Sequence, residues 1–460
     1  MKKHILIFVL FSSLGCYSQD FSPYTLIDDF SGTFVIRDLK IVDTDQDGDL
    51  DIITTTNRSL KWYENLDGLG DFGPAILIDN YPDASAVASI AITDLNQDSL
   101  PDVVVSNFGV DAYFWYRNLG NGTFAASAVI ASVVNAVSTT ASDIDGDGDL
   151  DLVLGVTNSS GLYWVEHLDG QGTFGPLNLI DASISQARLQ LVADLDGDGD
   201  MDILSNTSST PLRVVWYENT DSAGDFSVQH IVTSTGFYQN AMALGDIDND
   251  GQVDHVGNTI EEFTRSKGNI EEETGFEEEF IISEEIPFGP MRLVDFDKDG
   301  DLDILMSSPL HEIAWLENLD GLGTFSSIIT IETGLSDPNV HAPGDIDGDG
   351  DLDLVIVSQS ANGPKFLTWL SNETPLSIEN LALKAIRLYP NPTRDILNIQ
   401  IPEGISIDTI QVRDISGKEV IQVPLSSSKH AINMGSLAKG MYFVSLSVQN
   451  TTIVKKVIVQ

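Results

Sequence analysis

The stretch "DIDGDGDLDLVLG", Asp143 to Gly155, places five aspartates within nine residues and then turns at once into an apolar run. Like charges this close repel, so an acidic loop abutting a strand-like segment needs something to neutralise it. The chain makes nearly the same stretch seven times. It appears as "DTDQDGDLD" from Asp43, "DLNQDSLPD" from Asp94 and "DIDGDGDLD" from Asp143. It returns as "DLDGDGDMD" from Asp194, "DIDNDGQVD" from Asp246, "DFDKDGDLD" from Asp295 and "DIDGDGDLD" from Asp345. Successive starts differ by 51, 49, 51, 52, 49 and 50 residues, and a period of this size marks a repeat architecture.

Each acidic loop opens a longer unit. A short apolar run follows it ("DIITTT", "DVVVS"), then a segment built on Trp62, Trp115, Trp164, Trp216, Trp315 or Trp369. A glycine turn and a phenylalanine segment such as "FGPAILID" from Phe72 complete the unit. These runs are short, rich in β-branched and aromatic residues, and punctuated by Gly, Asn and Asp, so they read as strands. Four strands per unit of this length is the pattern of a β-propeller blade. A phenylalanine segment also precedes the first loop, "FSPYTLID" from Phe21, and none follows Trp369. That offset predicts that Phe21 to Asp28 forms the outer strand of the last blade and closes the ring without an exposed sheet edge.

Within each loop the oxygen-bearing residues fall at positions 1, 3, 5 and 9. They are Asp43, Asp45, Asp47 and Asp51; Asp94, Asn96, Asp98 and Asp102; Asp143, Asp145, Asp147 and Asp151; and Asp194, Asp196, Asp198 and Asp202. The last three loops supply Asp246, Asp248, Asp250 and Asp254; Asp295, Asp297, Asp299 and Asp303; and Asp345, Asp347, Asp349 and Asp353. Oxygen-only ligands at alternating positions suit a hard cation such as Ca²⁺, with a glycine at position 6 for the turn. Magnesium fits less well, because it prefers a tight octahedral shell that keeps several waters. The EF-hand loop shares the 1, 3, 5 spacing but needs a glutamate at position 12, where Thr54 and Leu154 stand here. The metal is therefore expected in a β-hairpin loop, with position 7 giving a backbone carbonyl. Up to seven Ca²⁺ are expected. Loop 2 is the weakest site, with Asn96, Ser99 and Pro101 departing from the pattern.

Composition agrees with this reading. The 460 residues carry 23 Lys+Arg against 70 Asp+Glu, a net charge of −47, which argues against nucleic-acid phosphates as partners. The opening "MKKHILIFVLFSSLGCYSQ" reads as a secretory signal peptide over 1–19, too short for a good membrane span. No other segment is apolar enough to span a bilayer, so no transmembrane segment is expected in the mature chain. Cys16, the only cysteine, either leaves with the leader near Ser18 or Gln19 or carries a lipid. A lipid site wants an apolar residue three before the cysteine, and Ser13 stands there. Without disulfides, a secreted ring needs another staple, and metal can supply it.

The units resemble FG-GAP or VCBS repeats, the calcium-loop repeats of integrin α-subunit propellers and of many bacterial secreted proteins. "DGLGDFGPA" at Asp67 and "DGQGTFGPL" at Asp169 carry the Phe-Gly element, and the resemblance covers Phe21 to Glu373. It implies a seven-bladed propeller, 20–374, with one Ca²⁺ per intact loop. The fifth unit departs from the rest: its tryptophan is missing, Phe263 is expected to stand in, and glutamates cluster at Glu261, Glu262, Glu271, Glu272 and Glu273.

Beyond a linker at 375–384 the composition changes, with nine Lys+Arg and six Asp+Glu from Leu376 to Gln460. Alternating apolar runs with Pro, Gly and Asn turns indicate a small C-terminal β-sandwich at 385–460. It is similar to the type A C-terminal sorting domain of the Bacteroidota type IX secretion system, through "YPNP" at Tyr389, "DISGKEV" at Asp414, "LAKGMYFV" at Leu437 and the closing "KKVIVQ". The resemblance implies handling by that secretion machinery and an extracellular or outer-cell-surface location in a Bacteroidota-type bacterium. No nucleophile elbow, phosphate loop or zinc spacing is present in the sequence. The expectation is an all-β, non-enzymatic ligand-binding or adhesion module for an extracellular protein or glycan. The alternative is a polysaccharide-acting, lyase-like enzyme on a calcium-bearing propeller.

Overall fold

The structure is a computed structural model. It describes residues 21–30, 35–81, 87–157, 160–185, 187–207, 213–233, 242–258, 262–268, 276–283, 290–307, 312–331, 333, 335, 338–359, 365–372, 387–389, 393–400, 409–414, 418–423, 431–448 and 451–459. The leader at 1–19 with Cys16, the linker at 375–384, and Glu261, Glu271, Glu272 and Glu273 lie outside the described residues. The chain divides into two compact units, Met1–Glu373 and Thr374–Gln460.

The first unit is built of four-stranded antiparallel sheets in a propeller arrangement, seven of them among the described residues. Sheet 1 runs from the inside out as Ile36–Val42, Asp51–Thr56, Ser59–Tyr63 and Ile76–Asn80. Five further sheets repeat this order along the chain, the sixth ending at Ile329–Ile331. The seventh takes Pro338–Gly344, Asp353–Gln359 and Lys365–Leu370 from the end of the unit, and Thr25–Asp29 from its beginning. The closing strand pairs Thr25 with Trp369 and Asp29 with Phe366, and an isolated bridge joins Phe21 to Asn372. The ring closure expected from the offset phenylalanine segment is thus present.

Strand periodicity explains how the sheets hold together. Successive side chains point to opposite faces, so Ile52 packs into the core shared with sheet 7 and Ile53 into the core shared with sheet 2. Every second strand is buried on both faces for this reason, which is why "DIITTT" and "DVVVSN" do not alternate between apolar and charged residues. A separate apolar core fills each gap between neighbouring sheets. One joins sheets 6 and 7 through Phe296, Leu305, Leu354 and Ile356.

The tryptophans cross these gaps. Trp62 reaches the turn glycine of the next sheet, Gly122, where a Cβ would fall inside the indole ring. Trp115 meets Gly172, Trp164 meets Gly224 and Trp369 meets Gly70 in the same way. Each of these glycines also has a positive φ, for example 65° at Gly122. The glycine turn and the tryptophan are therefore two halves of one contact between consecutive sheets. Tyrosine hydroxyls add a second clasp: Tyr63 donates to Asp28 (2.7 Å), Tyr116 to Asp79 (2.7 Å) and Tyr217 to Asp181 (2.9 Å), each on the outer strand of the preceding sheet.

The innermost strands line a central channel of about 1320 Å³. In the second unit, a three-stranded sheet (Arg387–Tyr389, Ile396–Gln400, Ala431–Asn433) and a four-stranded sheet share one core. Leu397 and Ile432 on the first meet Ile410, Val412, Val444 and Val457 on the second. No helix among the described residues is long and apolar enough to cross a membrane.

Two measurements check this account. Deleting 21–29 exposes a sheet edge and breaks the Tyr63 clasp, so the melting temperature should fall by roughly 5–15 °C. An unchanged melting temperature would refute strand closure. Gly122→Ala forces both a strained φ and a clash with Trp62, and should cost about 2–3 kcal/mol in denaturant unfolding. Gly73→Ala, whose glycine lacks a positive φ and has ordinary neighbour distances, is the control.

Candidate metal centres

All seven acidic loops join the two innermost strands of their sheets, as in Asp43 to Asp51 between Ile36–Val42 and Asp51–Thr56. Position 2 anchors each loop: Thr44, Leu95, Ile144, Leu195, Ile247, Phe296 and Ile346 are all buried. Position 6 turns it, with φ of 102° at Gly48 and 96° at Gly148, and its N–H donates to the first aspartate. These bonds run from Gly48 to Asp43 (3.1 Å), Gly148 to Asp143 (3.1 Å) and Gly300 to Asp295 (3.1 Å). In loop 2, Ser99 takes this strained φ at 70° without the freedom of glycine.

The aspartates do not play equal parts. Position 9 is buried, and both of its oxygens accept backbone N–H groups in nearly every loop. Asp51 takes Thr44 N–H (3.0 Å) and Asn65 N–H (2.8 Å). Asp151 takes those of Ile144 (3.1 Å) and His167 (2.7 Å), and Asp303 those of Phe296 (3.0 Å) and Asn318 (2.8 Å). This residue ties the start of the loop to the chain leaving the third strand. Positions 1 and 3 keep oxygens aimed inward. Oδ1 of Asp43, Asp143, Asp295 and Asp345 is buried without a hydrogen-bond partner, as is Oδ1 of Asp45. Three carboxylates approach within 4.8 Å of one another at Asp43, Asp45 and Asp51, at Asp143, Asp145 and Asp147, and at Asp194, Asp196 and Asp202. Asp246, Asp248 and Asp250, and Asp295, Asp297 and Asp299, do the same. A buried carboxylate oxygen with no donor is what a hard cation would satisfy, so loops 1, 3, 6 and 7 fit Ca²⁺ on this observation.

Burial drives the titration of position 9. It pushes Asp303 up to about 8, Asp151, Asp202 and Asp353 to about 7, and Asp51 and Asp102 to about 6, against the pull of their N–H donors. Neighbouring loop carboxylates add to the rise at most of these positions, as Asp297 does at Asp303.

A column of asparagines, replaced by His167 in the third unit, completes the site. The residue after the tryptophan segment, Asn65, Asn118, Asn219 or Asn318, gives its N–H to position 9 and its amide to two carbonyls. Asn118 Nδ2 reaches Pro101 O in its own loop (3.1 Å) and Thr44 O in the preceding one (2.7 Å). Asn65 reaches Ile346 O (2.9 Å) and so stitches sheet 1 to sheet 7. Its oxygen accepts from Gly70 N–H (3.1 Å). His167 fills part of this role: its N–H goes to Asp151 and its Nε2 accepts from Gly172 N–H (2.8 Å), but its buried Nδ1 makes no hydrogen bond to the neighbouring loop, and burial lowers its pKa.

The fifth unit needs a correction. Phe263 does not stand in for the tryptophan: Val256 pairs with Arg265, as Ile53 pairs with Trp62 and Leu305 with Trp315. Phe263 occupies the position of Leu60, two residues earlier, in the core shared with sheet 6. The arginine keeps the tryptophan's reach, since a Cβ on Gly323 of the next sheet would meet its guanidinium.

Repeated four-stranded sheets with an acidic hairpin loop in each define a β-propeller of the acidic-loop repeat class. The chain belongs to the FG-GAP-like repeat family, whose profile matches 43–105, 94–154, 143–205, 194–256 and 295–356, together more than half of the chain. The stretch 257–294, which holds Arg265, lies outside these matches. Residues 387–460 match the secretion system C-terminal sorting domain. That domain implies export by the type IX system and a secreted or cell-surface protein of a Bacteroidota-type bacterium. An ulvan lyase from Nonlabens ulvanivorans is 28% identical over 99 residues, which span 21% of this chain and only 18% of that protein. Among solved structures, an Agrocybe aegerita lectin that recognises non-reducing terminal N-acetylglucosamine matches with a TM-score of 0.50 at 20% identity, over 65% of this chain and 80% of that one. The BBS1N chain solved with ARL6DN matches with a TM-score of 0.50 at 11% identity, over 76% and 98%. These two likenesses concern the fold alone.

The raised position-9 values set a pH dependence. An unfolded aspartate ionises near 3.9, so between about pH 4 and pH 7–8 the metal-free fold holds protons that the unfolded chain has lost, and stability falls as pH rises. Metal-free protein should therefore melt higher at about pH 5 than at about pH 8, and millimolar Ca²⁺ should remove most of that slope. A metal-free melting temperature that climbs from pH 5 to pH 8 would contradict this.

Proposed function

We propose that the chain is an exported, calcium-stabilised, seven-bladed propeller that captures an anionic extracellular polymer at the mouth of its central channel, as a binding or adhesion module without catalytic activity. The channel's charged lining carries the reading. In a chain of net charge −47, that lining holds Arg37, Lys40, Arg188 and Arg292 against Asp38. Asp38 is engaged by Lys40 (3.4 Å) and by the N–H groups of Leu39 (2.9 Å) and Ile90 (2.9 Å), and its charge also acts on Arg292, so this one carboxylate is shared among the channel's cations. Arg292 donates to His341 O (3.3 Å). Arg188 Nε is buried without a partner, and burial, with the nearby Arg37 charge, depresses the Arg188 pKa. Two guanidiniums that repel each other in a sheltered channel suit a carboxylate or sulfate ligand, which each can grip in bidentate fashion.

The strand geometry separates this site from the metals. Arg37 stands at the start of Ile36–Val42 and the loop begins at Asp43, so the two lie at opposite ends of a strand about 20 Å long. The proposed metals would hold the ring and leave the opposite mouth free for the polymer.

A second reading, a polysaccharide-degrading enzyme, has the local likeness to an ulvan lyase in its favour. One panel separates the two. Sulfated and carboxylated polysaccharides should bind in a glycan array while neutral ones do not, and Arg37→Gln with Arg188→Gln should weaken binding roughly tenfold or more. Equal binding of neutral polymers, or an indifferent double variant, would sink the channel reading. Release of unsaturated products from any of the same polymers would establish the enzyme instead.

A further inference from the structure

Loops 2 and 5 differ from the other five in what surrounds their carboxylates. In loop 5, Arg265 Nη2 lies 2.8 Å from Asp248 Oδ2 and 2.9 Å from Asp254 Oδ2. Lys267 Nζ lies 2.7 Å from Asp248 Oδ2 and 2.9 Å from Asp250 Oδ2. Positions 3, 5 and 9 thus all face a protein cation. The Arg265 and Asp248 side chains are only 8% and 9% exposed, so little water screens the pair. In loop 2, Arg117 Nε lies 3.8 Å from Asp98 Oδ2, and Asn96 turns its amide NH₂ to the same oxygen at 3.0 Å. A donor stands there where a metal needs an acceptor.

A second feature sets loops 2 and 5 apart from loops 1, 3, 6 and 7. The first aspartate's Oδ1, an unpartnered buried atom in loops 1, 3, 6 and 7, is hydrogen-bonded in loops 2 and 5. Asp98 N–H donates to Asp94 Oδ1 (3.0 Å), and Asp250 N–H to Asp246 Oδ1 (3.0 Å). In loop 4 that oxygen accepts from Gly197 N–H (2.7 Å), but no Lys or Arg pairs with that loop among the described residues. Asp248 Oδ1 in loop 5 has no hydrogen bond, while its other oxygen takes both cations.

One sequence position tracks this division. Two residues past the tryptophan site stand Glu64, Glu166, Glu218 and Glu317 in sheets 1, 3, 4 and 6. Sheet 2 has Arg117 there, sheet 5 has Lys267, and sheet 7 has Ser371, which donates to Asp347 (3.1 Å). The position is acidic in four sheets, serine in sheet 7, and basic only beside loops 2 and 5, each of which still keeps one buried carboxylate oxygen without a hydrogen bond, Asp102 Oδ2 and Asp248 Oδ1.

We propose that loops 2 and 5 are closed by the protein's own cations, Arg117 with Asn96 in one and Arg265 with Lys267 in the other, and take no Ca²⁺, so that the ring holds at most five. A divalent ion entering loop 5 would sit against a buried guanidinium held between two of its own ligands, and like-charge repulsion at that distance opposes binding. The inference rests on the calcium reading for the remaining loops and changes the count from seven.

Native mass spectrometry of the metal-stripped full-length chain, titrated with Ca²⁺ alone, tests it. The chain should take up five ions. Asp145→Asn should lower the count by one, whereas Asp248→Asn and Asp98→Asn should leave it unchanged. Replacing both loop-5 cations, Arg265→Trp with Lys267→Glu, should add one ion. Asp250→Asn, an exposed change, gives a loop-5 result even if the double variant does not fold. Six or seven ions in the parent chain, with one lost in Asp248→Asn or Asp250→Asn, would overturn the proposal while leaving calcium stabilisation intact. No uptake at all would overturn the calcium reading and this inference with it.

Discussion

Seven buried aspartates hold this unit together at one kind of junction. Six of them link the second residue of their loop to the backbone that leaves the third strand, and Asp102 makes only the second of these two contacts. Two charge-assisted bonds to one carboxylate fix the loop's curvature. The asparagine beside that junction then reaches the neighbouring loop, so the same few atoms that shape one sheet also position the next. The cost is a carboxylate stripped of water and surrounded by other carboxylates, and its raised pKa measures that cost. Positive charge would relieve that cost, and in loop 5 Arg265 and Lys267 supply it.

The repeat is less uniform than its sequence. Loops 1, 3, 6 and 7 leave the first aspartate's inner oxygen unsatisfied, and loops 2 and 5 satisfy it with an N–H. Trp62 and Arg265 occupy equivalent places, yet one fills space against a glycine turn while the other also binds two loop acids. A buried ion pair is a weak source of stability compared with good packing. Its value here is that the loop keeps its shape without drawing on the surrounding medium.

Much of this was legible in the sequence because the period is strict where the physics is strict. Loop spacing is constant, glycine recurs at position 6, and strand segments follow at once, so the sheets, the hairpin location of the loops and the strand exchange at the ends could be read from residues alone. The Arg265 column could not. The interval from first aspartate to tryptophan varies from 19 residues, Asp43 to Trp62, to 24, Asp345 to Trp369, because the turn between the second and third strands varies in length. Only strand pairing shows that Arg265, not Phe263, is the equivalent residue. The asparagine column stands in the sequence, but its role was hidden for another reason: its work is done through backbone carbonyls of a different unit, which no sequence pattern displays. Side-chain pairing of Arg117 with Asp98 was hidden in the same way, since the partners are separated by a strand hairpin.

The seam between Thr25–Asp29 and Lys365–Leu370 has a mechanical consequence. The strands are antiparallel, so Thr25, where the first strand begins, lies opposite Trp369 near the end of the last, and Phe21 bridges Asn372 just beyond them. Tension applied through the two ends of the unit would load this seam from one end, breaking its hydrogen bonds one after another rather than all together. A ring anchored through its C-terminal side and pulled by its N-terminus would open like a zip at low force. The same ring pulled by a ligand in its channel would spread the load over all the inner strands and leave the seam closed.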